Sequence, residues 1–273
     1  MLEGMEQGCH DGMLFAHRYV PGPLAGACLR GGVFVSIWHD AFELIDLSQE
    51  IYEGMPVFGM HQKTFIMLNQ THEQNRQATG SPTLGFSARN LLMSEHGPTH
   101  SDAVWEFEPS GPTIDRMDLK HFWGDGICID VSHIRHPDYI EIADIEEQLE
   151  KTGLDIRRGD IFLMHTGHYE RTYPDNGYGG PDATHTGVSY ASAEWLFKQG
   201  VVNLGVDAPA IDLSPDDIEF SGHYACGKYG VTNTENLRNL HLLAGKRFLY
   251  MGLPLLIRDG SGAPIRAVAL LPK

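Results

Sequence analysis

Residues 94–107 read SEHGPTHSDAVWEF and place His96, His100, Asp102 and Glu106 within eleven residues, the densest gathering of ligand-type side chains in the chain. Two imidazoles and a carboxylate form a borderline nitrogen and oxygen donor set that suits zinc, manganese or iron. Three protein ligands leave coordination positions open for water and substrate, as in catalytic rather than structural metal sites. His96, His100, Asp102 and Glu106 are therefore the candidate ligands. A single histidine in a loop is usually just a loop residue; four donors this close weigh against that reading. Gly97 precedes Pro98, and the residue before a proline is steered from helix toward extended backbone, so the segment is expected to be loop or strand. Alternate side chains of an extended chain share a face. His100 and Asp102 should then point one way and Ser101 the other, with the Gly-Pro bend folding His96 back toward the pair.

Such a cluster needs a scaffold. Strand-like apolar runs occur at 42–47, 64–68, 84–93, 127–131, 161–164, 201–206, 248–257 and 265–271. Helical patterns sit between some of them: 144–151 ends at Gly153, and Ser189 can cap a helix through Gln199 that stops at Gly200. Strand, helix, strand recurs, which predicts an α/β domain with a mixed sheet and packed helices. The histidine cluster follows the strand-like run ending at Met93, a usual place for a site on such a scaffold. Residues 1–41 show no sustained periodicity and read as an extension or arm; residues 42–273 form one domain.

Composition narrows the partners. A formal charge of −16 disfavours nucleic acid and anionic membrane surfaces, which demand a concentrated positive patch. With 42% hydrophobic residues and no apolar run long enough to cross a bilayer, the chain reads as a globular protein outside the membrane. Cys9, Cys28, Cys128 and Cys226 are scattered and form no Cys-x-x-Cys pair, so neither a disulfide framework nor a zinc ribbon is indicated. Cys128 reads as a core residue and Cys226, three residues after His223, as a neighbour of the site. The opening residues lack the pattern of a secretory signal, and a cytoplasmic location is expected.

A second constellation lies in 221–240, SGHYACGKYGVTNTENLRNL, where His223 and Glu235 stand out. On composition alone Thr232 and Glu235 form a capping box that would start a helix through Leu240. His165, His168 and His185 read as surface or hydrogen-bonded histidines. Trp105, Phe107 and Tyr224 are candidates to wall a substrate pocket.

The segment HGPTHSDA resembles the His-x-Gly-Thr-His-x-Asp-Ala-Pro motif of the metal-dependent cyclase-like hydrolases, the family of bacterial-type kynurenine formamidase and isatin hydrolase. The similarity begins near IDLSQEIYEGMPVF, continues through GVDAPAID and TENLRNL, and ends in GAPIRAVAL, about 43–271. The resemblance implies a swivelling β/α/β fold, an oligomer (dimer or tetramer), and His96, His100 and Asp102 as ligands of a divalent ion, Zn2+ or Mn2+. It also implies that His223 and Glu235 complete a second metal position or assist catalysis. Three positions depart from the motif: Pro98 replaces its central Gly, Val104 its Pro, and Glu106 the His expected four residues after the Asp. That last exchange alters the charge, donor capacity and working pKa of the site.

The implied activity is hydrolysis of an amide, cyclic amide or lactone in a small, aromatic-derived molecule. Metal-activated water would be the nucleophile, consistent with the lack of a G-x-S-x-G elbow. Glu106 or Glu235 would take the proton from water, and His223 would protonate the leaving group or steady the oxyanion. Two alternatives stand beside it. His100, Asp102, His241 and Arg247 imitate the pattern of non-haem iron oxygenases, which need an antiparallel barrel. A non-catalytic metal-containing binder would keep the ligands with Glu106 marking a lost proton shuttle.

Overall fold

A computed structural model describes residues 40–58, 60–173, 184–215 and 217–273, so the expected arm at 1–41 lies outside the described residues except for its last two. The chain begins with strand β1 (Phe42–Asp46), then β2 (Phe65–Gln70), helix α1 (His72–Thr79) and β3 (Ala88–Leu92). Past a cis Gly97–Pro98 peptide comes the short strand β4 (His100–Asp102). Next are β5 (Trp123–Asp130), β6 (Tyr139–Ile140), α2 (Ile142–Thr152), β7 (Ile161–His165), α3 (His168–Thr172), β8 (Gly187–Val188) and α4 (Tyr190–Gln199). The last segment holds β9 (Asn203–Val206), α5 (Ser221–Tyr229), β10 (Thr232–Glu235), β11 (Lys246–Met251), β12 (Gly262–Pro264) and β13 (Val268–Pro272).

Nine strands make one sheet in the order β1-β13-β11-β5-β7-β9-β10-β4-β12. Its centre, β5-β7-β9-β10, is parallel, and both flanks are antiparallel. Parallel neighbours require crossovers, and α2, α4 and α5 supply them. Because those crossovers cover the sheet, the central strands are apolar on both faces: β7 reads IFLMH and is buried throughout. Ile127, Ile129, Phe162, Met164 and Leu204 meet Ile145 and Leu196 of the helices on one face, while Cys128, Ile161 and Leu163 meet Leu240, Phe248 and Tyr250 on the other. Each such side chain contributes roughly 1.5–3 kcal/mol on burial. Helices α2 and α4 stop at Gly153 and Gly200, whose φ angles of 69° and 99° are the left-handed caps expected of glycine. This is the α/β architecture with a mixed sheet that the sequence predicts.

One local expectation is overturned. Thr232–Glu235 does not cap a helix: it is β10, paired with β9 on one side and β4 on the other. All four residues are buried, so ladder hydrogen bonds on both edges displace the local capping pattern, and Thr232 Oγ1 donates across the sheet to the Asp102 carbonyl at 2.5 Å. The oxygenase alternative also fails on architecture, since the sheet is mixed with a parallel centre. Its distal members are elsewhere: Arg247 bonds Asp160 at 2.7 Å and His241 bonds Glu170 at 2.8 Å. Among the described residues no helix is long and apolar enough to cross a membrane.

Candidate active site

Sheet register assembles the cluster. Strand β10 runs antiparallel to β4 and sets Glu235 opposite His100, while β12 sets Gly262 opposite Asp102. His100 and Asp102 share a face, as period-two alternation requires, and Ser101 turns away to hydrogen-bond Thr234 Oγ1 at 2.7 Å. Gly262 is required by space: a Cβ there would lie 2.8 Å from His96 Cε1 and 3.1 Å from Asp102 Oδ1. His223 arrives on the first turn of α5, whose Gly222 and His223 amides donate to Asp212 Oδ1 at 2.7 and 3.1 Å.

The three imidazoles follow one pattern. His96 places Nε2 2.6 Å from Ser261 Oγ, and that hydroxyl donates to Glu95 Oε1 at 2.6 Å, so Nε2–H is the donor toward Ser261. His100 Nδ1–H donates to the Pro98 carbonyl at 2.9 Å. His223 Nδ1–H donates to Asp212 Oδ2 at 2.5 Å. Each ring then turns its other nitrogen onto a carboxylate: His96 Nδ1 is 2.7 Å from Asp102 Oδ1, His100 Nε2 3.3 Å from the same oxygen, and His223 Nε2 3.2 Å from Glu235 Oε1. A lone pair facing a carboxylate oxygen is repulsive unless a positive charge lies between them. Either extra protons or a cation must supply it.

The electrostatics agree. Burial opposes a charged His96 and a charged His100, but the Asp102 carboxylate outweighs it and raises both above the ordinary imidazole range. Burial is outweighed more strongly at His223, by Asp212 and Glu235. Asp102 is held well below the usual carboxylate range against its own burial, chiefly by His100. Glu106, by contrast, is pushed up to about 9 by burial and by the charges of Asp102 and Glu235, and its Oε2 is buried without a hydrogen-bond partner.

These residues fit a divalent cation. Ligand atoms of His96, His100 and Asp102 lie within 4.8 Å of one another, as do those of Asp102, His223 and Glu235. Asp102 joins the two sets, Oδ1 facing the first and Oδ2 lying 3.4 Å from His223 Nε2. The Asn233 amide reaches both carboxylates of the second set, donating to Asp102 Oδ2 at 2.5 Å and Glu235 Oε1 at 3.0 Å. Glu106 Oε2, which has no hydrogen-bond partner, lies in the same cluster as the two donor sets, and an unpartnered carboxyl oxygen there is compatible with a cation or its water.

The cluster opens on a cavity of about 550 Å³. Val57, Phe58, Phe107, Ile218 and Phe220 give it apolar walls, and His61, His168 and His185 also line it. Phe107 stacks on His223 with ring centroids 4.4 Å apart. Trp105 and Tyr224 do not line this cavity, which corrects part of the aromatic-wall expectation. His168 and His185 take the hydrogen-bonded reading: both are buried in the wall, His168 Nδ1 3.1 Å from an Arg171 guanidinium nitrogen and His185 Nδ1 3.2 Å from the Thr186 carbonyl, and burial brings them down to about 3 and about 4, so they stay neutral. Cys226 is buried beside the site, and burial raises its thiol, which suits packing and not nucleophilic attack.

Every expected site residue, His96, His100, Asp102, Glu106, His223 and Glu235, meets in this one place. Sequence reasoning missed Asp212, Asn233, His61 and the Glu95–Ser261 pair. Asp212 lies in GVDAPAID, where the spacing to His223 carries no signal until α5 folds back onto it. His61 stands 5.1 Å from His96 ring to ring with Nδ1 unpartnered, and nothing in its local sequence marks it.

Comparison with known proteins places these features in a lineage. The family model "Putative cyclase" matches residues 45–213. The kynurenine formamidase of Bacillus thuringiensis (strain Al Hakam) is 30% identical over 196 residues, covering 71% of this chain and 83% of that protein. The kynurenine formamidase of Bacillus cytotoxicus is 27% identical over 231 residues, covering 84% and 97%. Among solved structures, an isatin hydrolase bound to the product analogue thioisatinate superposes with a TM-score of 0.75 at 21% identity, covering 86% of this chain and 94% of that one.

Proposed function

This chain belongs to the cyclase family, and from that premise we propose that it is a metal-dependent hydrolase of amide, cyclic amide or lactone bonds in small molecules. The observation that carries the reading is the shared pattern of His96, His100 and His223: one nitrogen donates outward, and the other faces the Asp102 or Glu235 carboxylate across a gap that a positive charge must fill. His96, His100 and Asp102 would hold a divalent ion, zinc or manganese, and Asp102, His223 and Glu235 offer a second donor set. When bound, such an ion supplies Lewis acidity and a water of lowered pKa.

The protein's own groups do the rest. Glu106 carries the proton: it lines the cavity and keeps one oxygen without a hydrogen-bond partner, it takes the proton that the attacking water loses, and it returns it to the leaving nitrogen or oxygen. A raised carboxyl suits both directions of transfer, and an added cation pulls its proton affinity back down. The water oxygen forms the new bond to the carbonyl carbon as the C–N or C–O bond breaks. Asp212 fixes the His223 ring, and Phe107 packs on its face, so that His223 can steady the charge growing on the carbonyl oxygen. The apolar walls favour a flat, aromatic-derived substrate and exclude bulk water.

The acting form is a homo-oligomer in this reading, because the paired strands β2 and β3 expose Phe65, Met67 and Leu92 on one face and Leu68 and Leu91 on the other. Light scattering coupled to gel filtration checks that part. The activity is tested by assaying purified protein with zinc or manganese against N-formylkynurenine, isatin and simple lactones. Metal-dependent turnover of one class is expected. A silent panel together with tight ligand binding would favour a non-catalytic binder.

A further inference from the structure

A second cluster repeats the imidazole pattern away from the cavity. His165 ends β7 and is buried, Glu170 stands on α3, and His241 lies in the 3-10 turn Leu240–Leu242. None of the three lines the cavity described above. Asp130 Oδ1 already accepts from the Ser132 amide at 3.0 Å and the Ser132 hydroxyl at 2.7 Å. It has no proton to offer, so at 3.2 Å His165 Nδ1–H must be the donor. His165 Nε2 then faces Glu170 Oε2 at 3.3 Å, and the other Glu170 oxygen lies 2.8 Å from His241 Nδ1. Donor atoms of all three residues lie within 4.8 Å of one another. Behind them Asp207 is buried with Oδ2 unpartnered, and its charge reaches His165.

We propose that His165, Glu170 and His241 form a further divalent-cation site, separate from the catalytic cluster, which ties α3 to the end of the sheet. Two imidazole nitrogens and a carboxylate select zinc or a similar transition ion over magnesium or calcium, which prefer all-oxygen shells. Asp130 completes a carboxylate–histidine–metal arrangement by fixing the His165 tautomer that presents Nε2 to the ion. The cation acts on the cavity through geometry: α3 carries both Glu170 and His168, and His168 is a cavity wall. Binding there clamps that wall and leaves the reacting groups untouched.

Zinc titration of metal-stripped protein by calorimetry and equilibrium dialysis tests the site. The unmodified chain should bind one more zinc equivalent than His241→Ala or Glu170→Gln. His241→Asp, which keeps a donor, should retain that equivalent, and Asp130→Asn should weaken it about 10- to 100-fold. Asp102→Ala, which disables the catalytic cluster, should still bind the peripheral equivalent, so the result does not depend on hydrolase activity. Cobalt loading of Asp102→Ala should give a visible ligand-field band that His241→Ala in the same background abolishes. Equal zinc stoichiometry and affinity in the unmodified, His241→Ala and Glu170→Gln chains would overturn the proposal. So would an Asp102→Ala chain that binds no zinc.

Discussion

The catalytic cluster and the His165–Glu170–His241 cluster use the same chemistry in opposite settings. In both, an imidazole donates one N–H to a fixed acceptor and turns its second nitrogen onto a carboxylate. The first is built from strands whose register locks every donor: His100 and Asp102 are 3% and 2% exposed, and Glu235 is 4%. The second is assembled from a strand end, a short helix and a 3-10 turn, and the Glu170 and His241 side chains are 38% and 46% exposed. Donor type alone therefore does not separate a reactive centre from a structural clamp. What separates them is burial beside a cavity, which leaves Glu106 with an orphaned oxygen and strengthens every charge interaction there.

The sharpest way to break this contrast is at Asp102, whose two oxygens serve the two donor sets of the catalytic cluster. Asp102→Ala should lower kcat/KM by about 10³ or more, since it removes a ligand from both sets. Metal analysis should show loss at the catalytic cluster only, whereas His241→Ala should leave kcat unchanged. Glu106→Gln comes next: steady-state assays should show kcat lower by about 10²–10⁴, with bound metal retained. Equal loss of metal and activity would make Glu106 a ligand instead of a proton carrier. Asp212→Asn should have the smaller effect of about 10- to 100-fold on activity or metal affinity, because it only orients His223. The matching change Asp130→Asn should leave turnover alone.

How much of this was legible beforehand differs between the two regions as well. Local spacing in 94–107 marked the three proposed ligands, the shared face of His100 and Asp102 and the outward turn of Ser101, because those follow from one short stretch of chain. The strand runs and the Gly153 and Gly200 helix stops were equally local. The capping box at Thr232 was misread because its decisive contacts are with β4 and β9, far away in sequence. Glu235 joined the site through resemblance and not through any spacing. Asp212, Asn233, His61 and the whole His165–Glu170–His241 cluster escaped for the same reason: tertiary folding alone brings them together. His241 was noticed, but for a chemistry its actual neighbours do not support.

The smallest effect contrasts two histidines that lie three residues apart. His165 faces carboxylates and, despite burial, is raised above the ordinary imidazole range. His168 is buried without a carboxylate partner, and burial, together with the charges of His185 and Arg171, brings it down to about 3. Between pH 6.5 and about 3 the unfolded chain binds a proton at His168 that the folded chain refuses, so this residue makes stability fall as the pH falls. His165 works in the other direction: its stabilising pairs are present below pH 6.5 and weaken as the pH rises through its elevated pKa, unless a cation takes the proton's place. His168→Gln should therefore flatten the acid limb of stability, recovering on the order of 2–3 kcal/mol at pH 4 relative to pH 7. His165→Gln should instead remove stability at pH 6 in metal-free protein. Urea unfolding from pH 4 to pH 8, with and without zinc, measures both. Identical pH profiles for the two variants would erase the distinction between the neutral cavity wall and the charged cluster beside it.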